Sequence, residues 1–193
     1  MTKFELLKQP EDGTNEMISD IESIALSYTN SQLSTSAAEN KWSAQEVAEH
    51  MLITSRIYLR NIEFWIKNFK GSISDNYKPG FVGKLAANSM LPNKRDNLSF
   101  KMRTFQVLDP ARGSEPIGEK DSFGSLIETH KKFLEIYLNP DELDLVNMKV
   151  ESALGKMIMF RLGDAPLFNF NHNIRHMRQM KIALKFCLEN NVA

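Results

Sequence analysis

His172 and His176 stand four residues apart in the stretch 169–180, which reads as helix and continues almost to the C-terminus. On an α-helix, positions i and i+4 share a face, one turn apart. Two imidazoles so placed can both reach one metal ion. They can equally be neutral core histidines, each satisfied by a neighbour, and the pair alone leaves both readings open. Three neutral imidazoles are a known first shell for zinc and also suit nickel, iron or copper. Such a shell leaves coordination positions for water or substrate, the arrangement of a catalytic rather than a closed structural site. The metal reading therefore turns on a third ligand. The chain offers two further histidines, His50 and His130.

These side chains must be positioned by helices. Trp42-Ser43-Ala44-Gln45-Glu46 opens one of them: Ser43 with Glu46 three residues on is a capping box, with Trp42 and Val47 placed as a hydrophobic staple. This helix is expected to reach about Asn68, with the seam Val47, His50, Thr54, Ile57, Asn61 and Phe64. A later helix over 122–138 carries the stripe Phe123, Leu126, Ile127, His130, Phe133, Leu134 and Tyr137, and Asn139-Pro140 stops it. The turn Gly163-Asp164-Ala165-Pro166 starts the last helix, 167–188, with Pro at an early position where it is tolerated. Its inward seam is Phe168, His172, His176, Met180, Ala183 and Cys187. Ahead of these, residues 1–13 read as a polar lead-in broken by Pro10 and Gly13. A first helix then spans about 15–31, its face made by Met17, Ile18, Ile21, Ile24, Ala25 and Tyr28. The mostly polar residues 34–40 connect it to the next.

Residues 70–120 break the pattern with Pro79, Pro92, Pro110 and Pro116 and five glycines. Fifty residues of pure loop would be unusual in a compact domain, so a short helix is expected at 84–90. Lys78, Lys84, Lys94, Arg95, Lys101, Arg103 and Arg112 outnumber Asp96 and Asp109 there. The segment reads either as a solvated connection or as a lid that draws in an anionic substrate. Residues 140–160 are ambiguous, with a short extended piece possible at 156–160.

Four long amphipathic helices with one long connection, between the second and the third, predict an all-α fold: a four-helix bundle, one domain over 1–193, with sites built from facing helices. The 193 residues are 42% apolar and 25% charged, and 24 basic residues balance 24 acidic ones. No global field argues for nucleic acid or an anionic membrane. One cysteine excludes an intramolecular disulfide and fits a reducing compartment. Without a signal-like N-terminus or a long apolar run, a cytoplasmic protein that does not enter the membrane is expected. The sequence holds no phosphate-loop motif and no nucleophile elbow.

The segment Lys41-Trp42-Ser43-Ala44-Gln45-Glu46-Val47-Ala48-Glu49-His50-Met51 resembles the opening of the second helix in the DinB superfamily, where a Trp and a capped helix start precede a metal-binding His. His172-Asn173-Ile174-Arg175-His176-Met177-Arg178-Gln179 resembles the H-x3-H-x2-Q element of that superfamily's last helix. Order and separation agree as well, and the resemblance covers most of the chain. It is strongest to members that include bacillithiol transferases and related metal-dependent hydrolases. It implies that His50, His172 and His176 bind one divalent metal ion, zinc or nickel before iron or manganese. It further implies a thiol S-transferase or a hydrolase acting on a small molecule, with a low-molecular-weight thiol as the expected partner, and a homodimer. The alternative is a non-catalytic, stress-associated dimeric bundle that holds metal for stability.

Other residues carry two readings each. Gln179 shares the histidine face and either orients a ligand or is a surface polar residue, while Arg175 is expected at the surface. His130 reads as a satisfied core histidine, or else as an acid or base in the pocket. Cys187 lies about 16 Å along the helix from His176, too far to ligate the same ion, and reads as a small buried apolar residue. Trp42 and Trp65 read as core. Leu52, Leu59 and Trp65 lie off the histidine seam and are the candidates for a dimer face.

Overall fold

The computed structural model describes residues 2–39, 41–71, 73, 77, 80–91, 108–110, 121–152 and 155–190. They are mostly helical: α1 (Lys3–Ser27), α2 (Asn30–Ser34), α3 (Ala44–Asn68), α4 (Phe81–Met90), α5 (Ser122–Leu138) and α6 (Ala165–Glu189), with two short strands, β1 (Lys149–Ser152) and β2 (Gly155–Arg161). Of the basic residues proposed for a lid, Lys84 lies on α4, and Lys78, Lys94, Arg95, Lys101, Arg103 and Arg112 fall outside the described residues. No described helix is long and apolar enough to cross a membrane.

The polar lead-in expected at residues 1–13 is helix instead. Thr2 accepts from the Glu5 N–H while the Glu5 carboxylate accepts from the Thr2 N–H at 2.8 Å, a capping box that starts α1 twelve residues before Asn15. Leu6, Leu7 and Pro10 extend the buried stripe of Met17, Ile18, Ile21 and Ile24 backwards at helical spacing, and that burial outweighs the hydrogen bond Pro10 cannot make. Gly13 is an approach point rather than a breaker. A Cβ there would sit 2.1 Å from Cζ of Phe170, so α1 meets α6 at this distance only without a side chain. The first helix also ends earlier than expected, at Ser27. Thr29 and Gln32 then form a second capping box that opens α2.

Helix α3 starts where its Ser43–Glu46 box predicts, with Glu46 Oε2 accepting from the Ser43 N–H at 2.8 Å. Its seam is buried through Val47, His50 and Thr54, but Phe64 is 58% exposed. The C-terminal half of α3 supports the hairpin, through Asn61 of the seam and then through Trp65 rather than Phe64. Trp65 Nε1 donates to the Lys149 carbonyl and Asn61 Nδ2 to that of Glu151. Leu52 and Leu59 are buried, so neither is left for a dimer face, while Trp65 is half-buried. The hairpin pairs β1 and β2 antiparallel, Val150 opposite Phe160, with a register shift after Glu151. It is a small departure from the all-α expectation, and it contains the extended piece foreseen at 156–160.

The four long helices pack together: α3 against α5 and α6, and α1 against α5 and α6, with α4 laid on α6. The core falls into two apolar clusters. One holds Leu6, Leu7, Tyr58, Ile62, Phe133, Tyr137 and Phe168 beside the hairpin. The other holds Met17, Ile21, Val47, Met51, Leu126 and Met180. Between them each inner helix is polar and buried: Thr54 and Ser55 on α3, Thr129 and His130 on α5, Asn169, His172 and Asn173 on α6. Such a layer costs desolvation free energy unless its groups find partners. Asn173 joins Ser55 and His130, and Ser55 joins Asn169, within the layer, while Thr54 and Thr129 turn to carbonyls of their own helices; the histidines predicted from sequence to bind metal lie in and beside it.

Candidate metal centre

His50 is brought to the layer by the first two turns of α3, and His172 and His176 by successive turns of α6. The three are the described residues whose ligand atoms cluster, all within 4.8 Å of one another. Nε2 of His50 lies 3.3 Å from Nε2 of His172. Two nitrogens on a tetrahedral zinc, each about 2.0–2.1 Å from it, stand roughly 3.3 Å apart. The ring centroids of His50 and His176 are 4.5 Å apart, and those of His172 and His176 4.4 Å.

The opposite nitrogens are held. Nδ1–H of His50 donates to the Leu108 carbonyl at 2.9 Å, and Nδ1–H of His176 to Gln179 Oε1 at 3.1 Å. Each of these rings therefore keeps its proton on Nδ1 and presents a lone pair at Nε2, the tautomer that ligation through Nε2 requires. His172 differs, in that its buried Nδ1 meets no partner.

Burial sets the charge state. It pushes His172 down to about 3, with His50 nearby adding to the effect. It also holds His176 well below the ordinary histidine range, and His50 below it to the extent that the Leu108 carbonyl and Asp109 allow. All three rings are neutral at pH 7, as metal binding demands. Arg175, expected at the surface, is half-buried, and its charge disfavours protonation of both His172 and His176.

Trp42, read from the sequence as core, packs on the core and also reaches the cluster. Its ring lies 4.8 Å from that of His50 and 6.2 Å from that of His176, so it walls the cluster as well as packing on the core. The signal was its position eight residues before His50, which brings the N-terminal flank of α3 back over the site. Trp42 also lines a surface cleft of about 810 Å³, with Glu39, Lys41, Glu46 and Asp109. Leu108 could not be foreseen, since it acts through its backbone.

His130 does not join the cluster. Its Nδ1–H donates to the Leu126 carbonyl at 2.9 Å and its Nε2 accepts from Asn173 Nδ2 at 3.0 Å, leaving it a satisfied core histidine pushed down to about 4 by burial. Cys187 is buried, its thiol donating to the Gln32 carbonyl.

The donor set fits a divalent ion: three neutral imidazoles converge, two of them oriented from behind. No protein-family model, no curated protein and no solved structure matches this chain.

Proposed function

We propose that this chain is a DinB-like four-helix bundle that holds one divalent metal ion, zinc or nickel first, on His50, His172 and His176. We further propose that it is a metal-dependent enzyme, a thiol S-transferase before a hydrolase. The observation that carries the reading is the convergence of three histidine rings whose Nε2 atoms face inward while Leu108 and Gln179 hold the Nδ1 protons of two of them. Packing of α1, α3, α5 and α6 supports the bundle.

When bound, a divalent ion would lower the pKa of a thiol or water that reaches it, giving thiolate or hydroxide near neutral pH. Three protein nitrogens leave room for that group. His130, the histidine best placed by sequence to close the shell, is turned to Asn173 instead, which favours an open site. The chain's own part is to keep the three rings neutral by burial, to fix two tautomers, and to screen one side of the site with Trp42. Leu26, Ile182 and Leu188, large apolar side chains exposed on α1 and α6, are the surface this reading assigns to a homodimer.

One observation favours the non-catalytic alternative: the three rings are only 4–9% exposed, as in a site that serves stability. Elemental analysis of the untagged protein beside His50→Ala, followed by assays with bacillithiol or glutathione against chloro-aromatic or epoxide electrophiles, separates the readings. We expect near one equivalent of metal in the wild type, little in the variant, and turnover only in the loaded wild type. A full complement of metal in His50→Ala would sink the ligand set. Stoichiometric metal without turnover, with a melting temperature that His172→Ala lowers, would leave the stability role.

A further inference from the structure

The three ligand rings are buried, yet a small molecule has to reach the ion between them if the site is catalytic. Access then lies past a neighbour that meets both the rings and solvent. Two further aromatic rings stand beside the cluster, and they differ in this respect. Phe168 lies 6.2 Å from the His172 ring and is buried in the apolar cluster beside the hairpin. Trp42 is half-buried. Its ring is within aromatic contact range of two ligands, 4.8 Å from His50 and 6.2 Å from His176. Gln179 is half-buried too, but it sits behind His176, on Nδ1, away from the ligating atom.

Trp42 also lines the surface cleft of about 810 Å³, and that cleft shares two more points of its wall with the site. Glu46 lines it one turn before His50, on the same face of α3. Asp109 lines it directly after Leu108, whose carbonyl holds His50. The backbone beside Trp42 is fixed, because the Ser43 N–H donates to Glu46 Oε2 at 2.8 Å in the capping box. Movement of the indole is therefore a matter of its own two side-chain torsions. Turned into the cleft, it uncovers His50 and His176 with no change in α3.

We propose that Trp42 is the specificity-determining residue of the metal site. Closed against His50 and His176, it admits small groups to the ion, and a bulkier thiol enters only by displacing the indole into the cleft. The inference rests on the metal reading above. It also reconciles buried ligands with a site that reacts.

Cobalt(II) loaded into the full chain tests it, since its visible bands report the number and type of ligands. Stopped-flow mixing with 2-mercaptoethanol and with glutathione compares two thiols that bring the same thiolate, lose their proton to the buffer alike, and differ in bulk. In wild type 2-mercaptoethanol should associate roughly tenfold faster than glutathione, and Trp42→Ala should bring the two within about threefold by speeding glutathione. Ala38 lines the cleft and is exposed, so Ala38→Trp fills the cleft without touching the core. It should slow glutathione roughly tenfold and leave 2-mercaptoethanol within about threefold of wild type. A variant that merely loosened the fold would speed both thiols alike. Equal effects of Trp42→Ala on the two thiols, an Ala38→Trp variant that takes glutathione as wild type does, or cobalt-loaded wild type that takes neither thiol overturns the proposal while the metal reading stands. A wild type that takes up no cobalt overturns both. Should Trp42→Ala not fold, Ala38→Trp decides alone.

Discussion

Two sets of buried histidines lie side by side in this protein, and what separates them is the partner of the second ring nitrogen. His130 is 2% exposed and the cluster rings 4–9%, and burial lowers all four pKa values. All four lie on inward helix faces. At His130 both nitrogens are satisfied by protein atoms, Leu126 and Asn173. In the cluster, Leu108 and Gln179 hold Nδ1 of two rings while the Nε2 of His50 meets only another Nε2. Burial and helical face therefore do not tell a ligand from a core histidine. The outer nitrogen's partner and the inner nitrogen's freedom do.

The largest test of that comparison is acid. A histidine whose folded pKa is depressed binds fewer protons folded than unfolded below pH 6.5. Its contribution is then whole above 6.5 and is lost as pH falls toward the folded value. For His130, from 6.5 to about 4, this amounts to about 3 kcal/mol, and the cluster adds to it in the same direction. Metal-free protein should melt at one temperature between pH 7 and 8, then lose upwards of about 6–12 °C by pH 4 from the His130 share alone. His130→Leu should remove that share and keep the cluster's. A melting temperature that holds level from pH 7 to 4 would show that the rings titrate in the folded protein and are not buried as described.

Metal should split the two sets. Zinc at a hundred times its dissociation constant stabilises by about 2.7 kcal/mol, or about 5–11 °C for a chain of this size. Calorimetry at pH 7 should show this rise in wild type and none in His172→Ala. His130→Leu should still rise. A rise in His172→Ala equal to that of wild type would mean that the ion sits elsewhere.

Much of this was legible in the chain. The Ser43–Glu46 box placed His50 about two turns into α3, and the four-residue spacing placed His172 and His176 on one face. The stripes of α5 and α6 came out as periodicity predicts, because their buried residues recur at three and four. Three features were not legible. Pro10 and Gly13 look like breakers, yet the Thr2–Glu5 box and the Leu6–Leu7 pair carry α1 through them, and only the contact with Phe170 explains the glycine. Phe64 continued a helical seam in sequence, but beyond Asn61 it is Trp65, not Phe64, that meets the hairpin. Leu108 holds His50 by a carbonyl, which no side-chain pattern can announce.

The smallest expected effect is the most specific to the comparison. Gln179 sits three residues after His176 and accepts from its Nδ1–H, the counterpart in the cluster of the Leu126 carbonyl at His130. Because Gln179 is half-buried, its removal should barely move the melting temperature of the metal-free protein. Gln179→Ala should instead weaken zinc binding roughly tenfold, about 1.4 kcal/mol, since the His176 ring loses both its orientation and its fixed tautomer. Gln179→Glu replaces the amide oxygen with a charged acceptor, which strengthens the hydrogen bond and raises the basicity of Nε2, so zinc affinity should equal or exceed wild type. Chelator competition at pH 7 reads both variants. Equal losses in the two would mean that Gln179 serves only to pack the helix surface, and that burial alone holds His176 in place.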